Sequence, residues 1–473
     1  MVGLFVLSLA LTPAEARADW PHGTQVYTAS GDLQAFGTGL RNWGPTDDVF
    51  VAVEVADEVN AALYAFDVST DLYRYECSDN DGCATVTLQN TLGVGSSIYD
   101  QLTQTSLAIR KKTAQPVEVL AVLRQKIEDD CDGDSVTYLA DPSDEVANLD
   151  LGARLFSTTA GEIRSWEVRA NDPVTGDCFD QGVSYARFGP APDRTPTACF
   201  SSEFPSAYAP WYYDRVACND ADGAGTTPGS VWSNYEYMHT ASYVAEDHPS
   251  FDFYSSNGER AVSGTHRSAT QAIRVHFPDE TAPPSEPIVS FPATDEKVDF
   301  SDVLDHAGKL HMVWADDHLD YANSTVRYQV CDYSSTVDCT DASEWLTTDE
   351  IVADSTSGYN DKARGVAVAM DGDRQFVVWS HDASGVGTDK WRVVVASRCV
   401  GGSWGYEEVR SSAGVLKDQF TLNGRPSIVL NRGENIAHVA FIEAEKFGGS
   451  YGDIASNENG TAWWYRDSYV DCP

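Results

Sequence analysis

Short apolar runs with alternating or β-branched residues dominate the chain, and Gly, Asp, Asn and Ser separate them. Runs of about four to eight residues of this kind predict β-strands. Two clear examples are residues 49–55, with the sequence VFVAVEV, and residues 391–397, with the sequence WRVVVAS. No stretch of the sequence carries a convincing amphipathic-helix pattern. The pattern therefore predicts an all-β protein.

Three C-terminal segments repeat one plan, in which a turn glycine precedes an apolar strand that ends in an aromatic residue and an acidic exit. The aromatic residues lie 65 (379 − 314) and 62 (441 − 379) positions apart. A fixed period of this length is typical of repeat architectures. Each repeat has room for four short strands, which is the content of one propeller blade. The three aromatic residues are Trp314, Trp379 and Phe441.

Two segments on this period resemble a known turn motif. Residues 456–463 (SNENGTAW) and 397–404 (SRCVGGSW) keep the spacing of the Asp-box turn, S-x-D-x-G-x-x-W, of sialidase-like β-propellers. Glu458 and Cys399 stand where that family has Asp. The resemblance implies a propeller over residues 285–470, where the blades are clearest. It also implies a structural role for the turn, whose polar side chain caps a hairpin while Trp packs between strands.

The blades before residue 285 are weaker in sequence. Residues 61–66 and 117–123 are candidate second strands of two of them. Residues 189–230 are rich in Pro, Ser, Tyr and Gly and break the period, which indicates a long insertion or an irregular blade. In the last blade we expect a third strand at 453–455, followed by a closing Trp463. The prediction is a β-propeller of six or seven four-stranded blades, with disulfide staples and one insertion at about 189–230.

The N-terminus resembles a secretory signal. An apolar run over residues 2–11 precedes Ala16 and Ala18, which fit an A-x-A cleavage site. We therefore expect a signal peptide at 1–18 and a single mature domain over 19–473, in an extracellular or periplasmic compartment.

The ten cysteines suit an oxidising compartment, because their number is even. Two close pairs in similar contexts predict local loop staples, and sequence order suggests how the other six are joined. Zinc is disfavoured because the sequence has no C-x-x-C pair. The predicted disulfides are Cys77–Cys83, Cys331–Cys339, Cys131–Cys178, Cys199–Cys218 and Cys399–Cys472.

The charge restricts the partners. With 72 acidic and 32 basic residues, the formal net charge is −40. Nucleic-acid binding needs a positive surface, and anionic membranes attract basic segments. We expect a monomer with no nucleic-acid partner and no membrane span.

Acidic or histidine residues follow the second strand of each C-terminal repeat. In propellers the loops between second and third strands surround one mouth of the channel, so we expect these residues to ring it. They are candidates for acid/base catalysis or for ligand binding; the alternative is a set of solvated loop charges. The catalytic candidates are Asp316, Asp317, Asp382 and Glu443, and the ligand-binding candidates are His318 and His381.

Two further groups are candidate sites. Trp211, Tyr212 and Tyr213 precede Arg215, and aromatic faces beside a charged donor suit a sugar or a protein surface; the alternative is the core of the insertion. Three Asp-rich turns supply oxygens that suit calcium, although Asp-Gly is also an ordinary hairpin turn. No cofactor is required, and calcium is the candidate ion. The metal candidates are Asp79, Asp81, Asp130, Asp132, Asp134, Asp220 and Asp222.

The resemblance to sialidases does not extend to their catalytic residues. The sequence lacks the Arg-Ile-Pro motif, and Tyr406 and Glu407 are adjacent where the family has a separated pair. Two Gly-x-Ser-x-Gly segments, at 401–405 and 448–452, have no helical pattern after them, which a nucleophile elbow requires. These observations favour a binding module for extracellular carbohydrate or protein at the channel mouth. A glycoside hydrolase and a structural surface protein remain open alternatives.

Overall fold

The structure is a computed structural model. It describes residues 22–28, 34–42, 49–56, 61–67, 87–94, 106–111, 117–126, 149–157, 161–168, 180–189, 195–204, 213–221, 230–231, 236–237, 245–253, 260–267, 272–276, 289–292, 298–316, 325–334, 339, 341–345, 350–354, 357, 363–382, 391–410, 426–432, 435–443 and 461–472. These residues are almost entirely β-strand and contain no α-helix. A short 3-10 turn covers Ala342–Glu344.

The described strands form seven separate sheets, which we number in chain order. The chain begins with β1 (His22–Thr28), which belongs to the last sheet. Sheet 1 contains β2 (Gln34–Asn42), β3 (Val49–Ala56), β4 (Ala61–Asp67) and β5 (Thr87–Val94). Sheet 2 contains β6 (Ser106–Lys111), β7 (Val117–Lys126), β8 (Leu149–Ser157) and β9 (Gly161–Val168). Sheet 3 contains β10 (Asp180–Phe188), β11 (Pro196–Phe204), β12 (Tyr213–Asp220) and β14 (Glu236–Tyr237), while β13 (Ser230–Val231) pairs in parallel with β9 of sheet 2.

The other four sheets follow the same antiparallel order. Sheet 4 contains β15 (Ala245–Phe253), β16 (Arg260–Arg267), β17 (Ala272–His276) and β18 (Val289–Pro292). Sheet 5 contains β19 (Val298–His306), β20 (Lys309–Asp316), β21 (Thr325–Asp332) and β22 (Glu350–Ala353). Sheet 6 contains β23 (Arg364–Asp371), β24 (Arg374–Asp382), β25 (Trp391–Cys399) and β26 (Gly405–Arg410). Sheet 7 contains β27 (Ser427–Asn431), β28 (Ile436–Glu443), β29 (Thr461–Ser468) and β1.

Both faces of the central strands are buried, which explains why the apolar runs are continuous. In β24, Phe376 and Val378 pack with residues of sheet 7, whereas Val377 and Trp379 pack with residues of sheet 5. A strand covered on both faces needs apolar side chains at consecutive positions. The run from 376 to 379 therefore reads as an unbroken hydrophobic segment.

The recurring aromatic residues are core anchors. Trp314, Trp379 and Phe441 are at most 1% exposed and are among the largest fully buried side chains. Each packs against the preceding sheet in the chain: for example, Trp314 lies in one cluster with Ala261 and Val275 of sheet 4.

The chain ends meet in sheet 7. Strand β1 pairs antiparallel with β29, so that Gln25 lies opposite Trp463. The first strands of consecutive sheets contact one another from β2 to β27, and β27 in turn contacts β2. The prediction of a third strand at 453–455 is therefore wrong, because the third strand of this sheet is β29. Trp463, predicted to follow the third strand, lies within it, and the fourth strand is β1.

The region 189–230, which the sequence predicts to be a long insertion or an irregular blade, belongs in part to sheet 3. It contains β11 and β12, the second and third strands of sheet 3, which pair residue by residue from Thr197 with Asp220 to Phe204 with Tyr213. Similarly, β4 at 61–67 is a third strand, whereas β7 is a second strand as expected. Prolines at 205 and 210 fall in the connection between β11 and β12, which is why the region looks irregular in sequence.

Three disulfides lie within the described residues, and each joins a pair that was predicted from the sequence. Cys199–Cys218 links neighbouring strands, Cys331–Cys339 staples a connection within sheet 5, and Cys399–Cys472 joins sheets 6 and 7. The predicted Cys77–Cys83 and Cys131–Cys178 lie outside the described residues. Disulfides are typical of extracytoplasmic proteins. Among the described residues, no helix has the length and hydropathy that a membrane crossing requires.

Candidate functional site

The sheets have two distinct edges. We call the edge with the turns between first and second strands the turn edge, and the opposite edge, where second strands end, the loop edge. In sheet 5 the turn is Ala307–Gly308, in which both residues have positive φ. A Cβ added at Gly308 would lie 2.9 Å from the Ser334 side chain. Glycine is therefore required there both for backbone conformation and for space.

Three of the four predicted catalytic candidates lie at the loop edge. Asp316, Asp382 and Glu443 are the last residues of the second strands of sheets 5, 6 and 7. Asp317 and His318 follow β20 and lie outside the described residues. His381 is only 1% exposed, on the same face of β24 as Trp379, which packs toward sheet 5. The structure thus places three carboxyl-bearing residues at equivalent strand ends and buries the histidine beside one of them.

Irregular first strands mark the loop edge as well. In five sheets, the pairing of the first strand with the second strand shifts its register near the start of the first strand. Such β-bulges redirect side chains at the rims of β-structures. No pattern in the sequence predicted this repeated feature. The shifts lie between Ala35 and Gly37, Gln181 and Ser184, Asp247 and Ser250, Val298 and Phe300, and Arg364 and Ala367.

The structure describes only some residues of the predicted aromatic site. Tyr213 and Arg215 belong to β12, opposite Phe204 and Ser202, while Trp211 and Tyr212 lie outside the described residues.

Of the metal candidates, Asp220 ends β12, and its Oδ2 lies 3.7 Å from the Arg260 guanidinium. Within the described ranges, no group of three or more His, Cys, Asp or Glu residues is arranged to hold a metal ion. The remaining metal candidates lie outside these ranges, namely Asp79, Asp81, Asp130, Asp132, Asp134 and Asp222.

The densest buried polar cluster centres on Asp302 in the first strand of sheet 5. The Ser250 hydroxyl donates to Asp302 Oδ1 at 2.5 Å, and the Val368 backbone N–H donates to Oδ2 at 2.9 Å. The Arg187 guanidinium lies 4.0 Å from Oδ1. Because these partners come from sheets 4, 6 and 3, one carboxylate, 2% exposed, connects four sheets.

Asp252 continues this cluster toward the turn edge. Its Oδ1 lies 3.7 Å from Arg187, and its Oδ2 accepts the Asp305 backbone N–H at 2.9 Å. Burial raises the pKa of Asp252 above its ordinary value, while the Arg187 guanidinium acts in the opposite direction. The Tyr333 hydroxyl donates to the Asp305 carboxylate. Arg187 of sheet 3 thus passes the first strand of sheet 4 to reach Asp302 of sheet 5.

At the turn edge, a second contact joins sheets 5 and 7, which are not consecutive. The Arg432 guanidinium, in the turn after β27, lies 3.3 Å from His306 Nδ1 and donates to the Met370 carbonyl at 3.0 Å. It also lies 3.8 Å from Asp371. Burial and the Arg432 charge lower the pKa of His306. Sheets 5 and 7, which are separated by sheet 6 in the chain, therefore touch through the side chains of His306 and Arg432.

Sheets 5 and 6 share a chain of buried polar groups near the same edge. The Tyr328 hydroxyl lies 2.6 Å from His311 Nδ1 and accepts from Gln375 Nε2 at 2.8 Å. Arg398 donates to Gln375 Oε1 at 2.5 Å and to both carboxylate oxygens of Glu350. Burial lowers the pKa of His311 to about 3 and raises that of Tyr328.

The turn with Asp-box spacing in sheet 6 packs against these buried polar side chains. Residues 400–404 connect β25 to β26, and the Trp404 ring lies 4.1 Å from the Arg398 guanidinium. The ring also meets Tyr328 edge-on at 6.3 Å. Trp404 therefore packs between sheets 5 and 6. The other segment with this spacing does not occupy the same place, because Trp463 lies inside β29.

Sequence reasoning missed these clusters, although a signal was present. Asp302 and Asp252 are charged residues inside otherwise strand-like segments, DFSDVL and SFDF. A charge within a buried strand is costly unless it is paired. The acidic residues within these apolar segments therefore indicated that each carboxylate has a hydrogen-bond or ion-pair partner. Which residue is the partner depended on the position of the other sheets.

The chain resembles solved propeller-fold glycosidases only distantly. Phage phi92 endosialidase aligns at 9% identity over 96% of this chain and 70% of that chain, with a TM-score of 0.42. Trypanosoma rangeli sialidase aligns at 9% identity over 78% of this chain and 56% of that chain, with a TM-score of 0.39. The Coprinopsis cinerea GH62 α-L-arabinofuranosidase domain aligns at 9% identity over 59% and 89%, with a TM-score of 0.34. No family model and no curated protein matches the chain.

Proposed function

We propose that this chain is an exported, seven-bladed β-propeller that binds an extracellular carbohydrate at its loop edge. The observation that carries the proposal is the difference between the two edges. Arg187 reaches Asp302 and Arg432 reaches His306 across an intervening sheet, so side chains that tie the sheets together lie in the middle of the strands and at the turn edge. We therefore assign the ligand to the opposite, loop edge, where Asp316, Asp382 and Glu443 end equivalent strands.

The chemistry of this edge favours an uncharged saccharide. Carboxylates are acceptors only, and sugar hydroxyls are the donors that match them. With a net charge of −40, the protein repels anionic glycans at long range. Neutral glycans are therefore the preferred class, and protein ligands are an outcome that the test separates.

Two buried carboxylates outside the loop edge serve the fold rather than catalysis. Asp302 and Asp252 accept hydrogen bonds from backbone N–H groups, and both lie within 4.0 Å of Arg187. Groups used in this way hold sheets together and are poorly placed to transfer protons to a substrate. A glycoside hydrolase that uses Asp316, Asp382 or Glu443 is the alternative function.

A glycan array with the secreted protein, with calcium and with chelator, tests the proposal. We expect binding to neutral glycans that calorimetry reproduces, and loss of this binding in a double variant with Asp316→Asn and Asp382→Asn. Lys309→Ala, at the turn edge of sheet 5, is the matched control and should bind normally. Chromatography of the incubated glycans detects cleavage, which would support the hydrolase. Absence of any glycan ligand, or normal binding by the double variant, would overturn the proposal.

A further inference from the structure

The chain leaves sheet 7 after β29 and crosses onto sheet 6. The Tyr469 backbone N–H donates to the Asn435 carbonyl at 2.7 Å, which keeps the start of this tail on sheet 7. The Tyr469 hydroxyl donates to Asp371 Oδ2 at 2.6 Å, and its ring packs edge-on against Phe376 at 5.0 Å. Residues 469–472, which we call the tail, therefore contact two strands of sheet 6.

A disulfide fastens the tail at its far end. Cys472 is joined to Cys399, the last residue of β25, across a sequence separation of 73 residues. Cys399 occupies the position at which the Asp-box spacing has Asp. The hairpin of sheet 6 is thus connected covalently to the tail at this position. The Arg374 guanidinium lies 3.7 Å from Cys399 Sγ and donates to the Ser397 hydroxyl at 2.9 Å.

The three described disulfides differ in exposure. Cys199, Cys218, Cys331 and Cys339 are all 0% exposed. Cys399 and Cys472 are both partly exposed, at the surface of the turn edge. Because exchange requires a thiolate to reach a sulfur atom, an accessible disulfide reacts before a buried one.

We propose that the Cys399–Cys472 disulfide is a thiol-sensitive latch that controls the junction between sheets 6 and 7. An external dithiol attacks one sulfur, the S–S bond breaks, and the resulting mixed disulfide resolves. The products are two protein thiols and one oxidised dithiol, so two electrons and two protons pass to the protein. Without this bond, the tail is held by the contacts of Tyr469, and the sheet that joins the two chain ends becomes the most easily opened.

Stepwise reduction of the full-length secreted protein tests the first half of the proposal. Samples are treated with increasing dithiothreitol, alkylated, and mapped by mass spectrometry. We expect Cys399 and Cys472 to be alkylated at least about tenfold faster than Cys199, Cys218, Cys331 and Cys339, since access limits exchange. Equal rates for the buried and exposed pairs would overturn the latch.

Hydrogen exchange tests the second half. After selective reduction, amides of β28 and β29 should exchange about tenfold faster, as expected for a lower local opening free energy, whereas those of β15 to β17 in sheet 4 should be unchanged. A Cys399→Ser/Cys472→Ser variant should show the same pattern without reductant. If that variant does not fold, the reduced wild-type protein still gives the answer. Unchanged exchange in sheet 7, or an equal increase in sheet 4, would contradict the proposal.

Discussion

The turn edge and the loop edge of this protein are built from the same strands but differ in how the strands are joined. At the turn edge of sheets 5 and 6, two-residue turns at 307–308 and 372–373 connect first to second strands. At the loop edge of the same sheets, residues 317–324 and 383–390 connect second to third strands. Short turns bring charged strand ends of neighbouring sheets together, whereas longer connections leave room for variation.

Charged contacts accumulate at the turn edge, also in sheets 3 and 4, where residues 189–195 and 254–259 connect the first strand to the second. Each described junction from sheet 2 to sheet 7 has one at the turn edge. A contact of this kind holds neighbouring sheets together, and the groups that form it are then not available to bind a ligand. The comparison indicates that the turn edge supports the fold, while a ligand site is better sought at the loop edge. The contacts are Arg110 over Phe188, Arg187 with Asp252, the Asp305 N–H with Asp252, Arg398 with Glu350, and Arg432 with Asp371.

Acid should have the largest effect, because it acts on buried histidines in the turn-edge half of the second strands. Burial lowers the pKa of both His311 and His438 to about 3, from an ordinary value of 6.5. The unfolded chain then binds more protons between these values, so stability is complete above pH 6.5 and falls as the pH decreases. At pH 5 the two residues together should cost about 4 kcal/mol of unfolding free energy. Asp252, whose pKa is raised, changes stability in the opposite sense and offsets part of this loss.

Urea denaturation between pH 7.5 and pH 5 measures this loss. The matched variant is His438→Phe, because the equivalent position of sheet 6 is already Phe376, three residues before the aromatic anchor. Whatever its stability at pH 7.5, the variant should show about half of the wild-type pH dependence. An unchanged slope would show that His438 is not buried in its neutral form.

Removal of the Asp302 carboxylate should have the next largest effect. Asp302→Ala leaves the Ser250 hydroxyl and the Val368 N–H without an acceptor and releases Arg187. Two unsatisfied buried donors should lower the unfolding free energy by about 3 kcal/mol. Chemical denaturation measures the change. The control is Asp316→Ala in the same sheet at the loop edge, for which we expect less than about 0.5 kcal/mol. Similar losses for the two variants would remove the distinction between the edges.

The smallest effects distinguish a buried from an exposed basic side chain at the turn edge. Arg398→Met leaves the buried Gln375 Oε1 without its donor and should cost about 2 kcal/mol. Lys309→Met removes an exposed pair with Asp332 and should cost less than about 0.5 kcal/mol, because solvent screens it. Thermal unfolding of the two variants, compared at one ionic strength, measures the difference. Equal effects would mean that burial does not decide the value of these contacts.

Part of the architecture follows from local pattern. The apolar run around Trp379 requires burial on both faces, and any residue string of that kind predicts a central strand. The period between Trp314, Trp379 and Phe441 predicts equivalent strands, and all three side chains are buried. The local pattern was insufficient where pairing partners are remote, as in sheet 7, and where prolines in a connection made two strands hard to recognise, as in sheet 3.

The sequence by itself determined the all-β character, the aromatic anchors and the cysteine pairs that lie in the described residues, because strand pattern and chain order are local properties. Only the tertiary structure decided that β1 completes sheet 7, that Asp302 connects four sheets and that the tail reaches sheet 6. These contacts join residues far apart in the chain, and each depends on the relative position of whole sheets. A single sequence carries the charges that make such contacts but does not specify which of 104 (72 + 32) charged residues will meet.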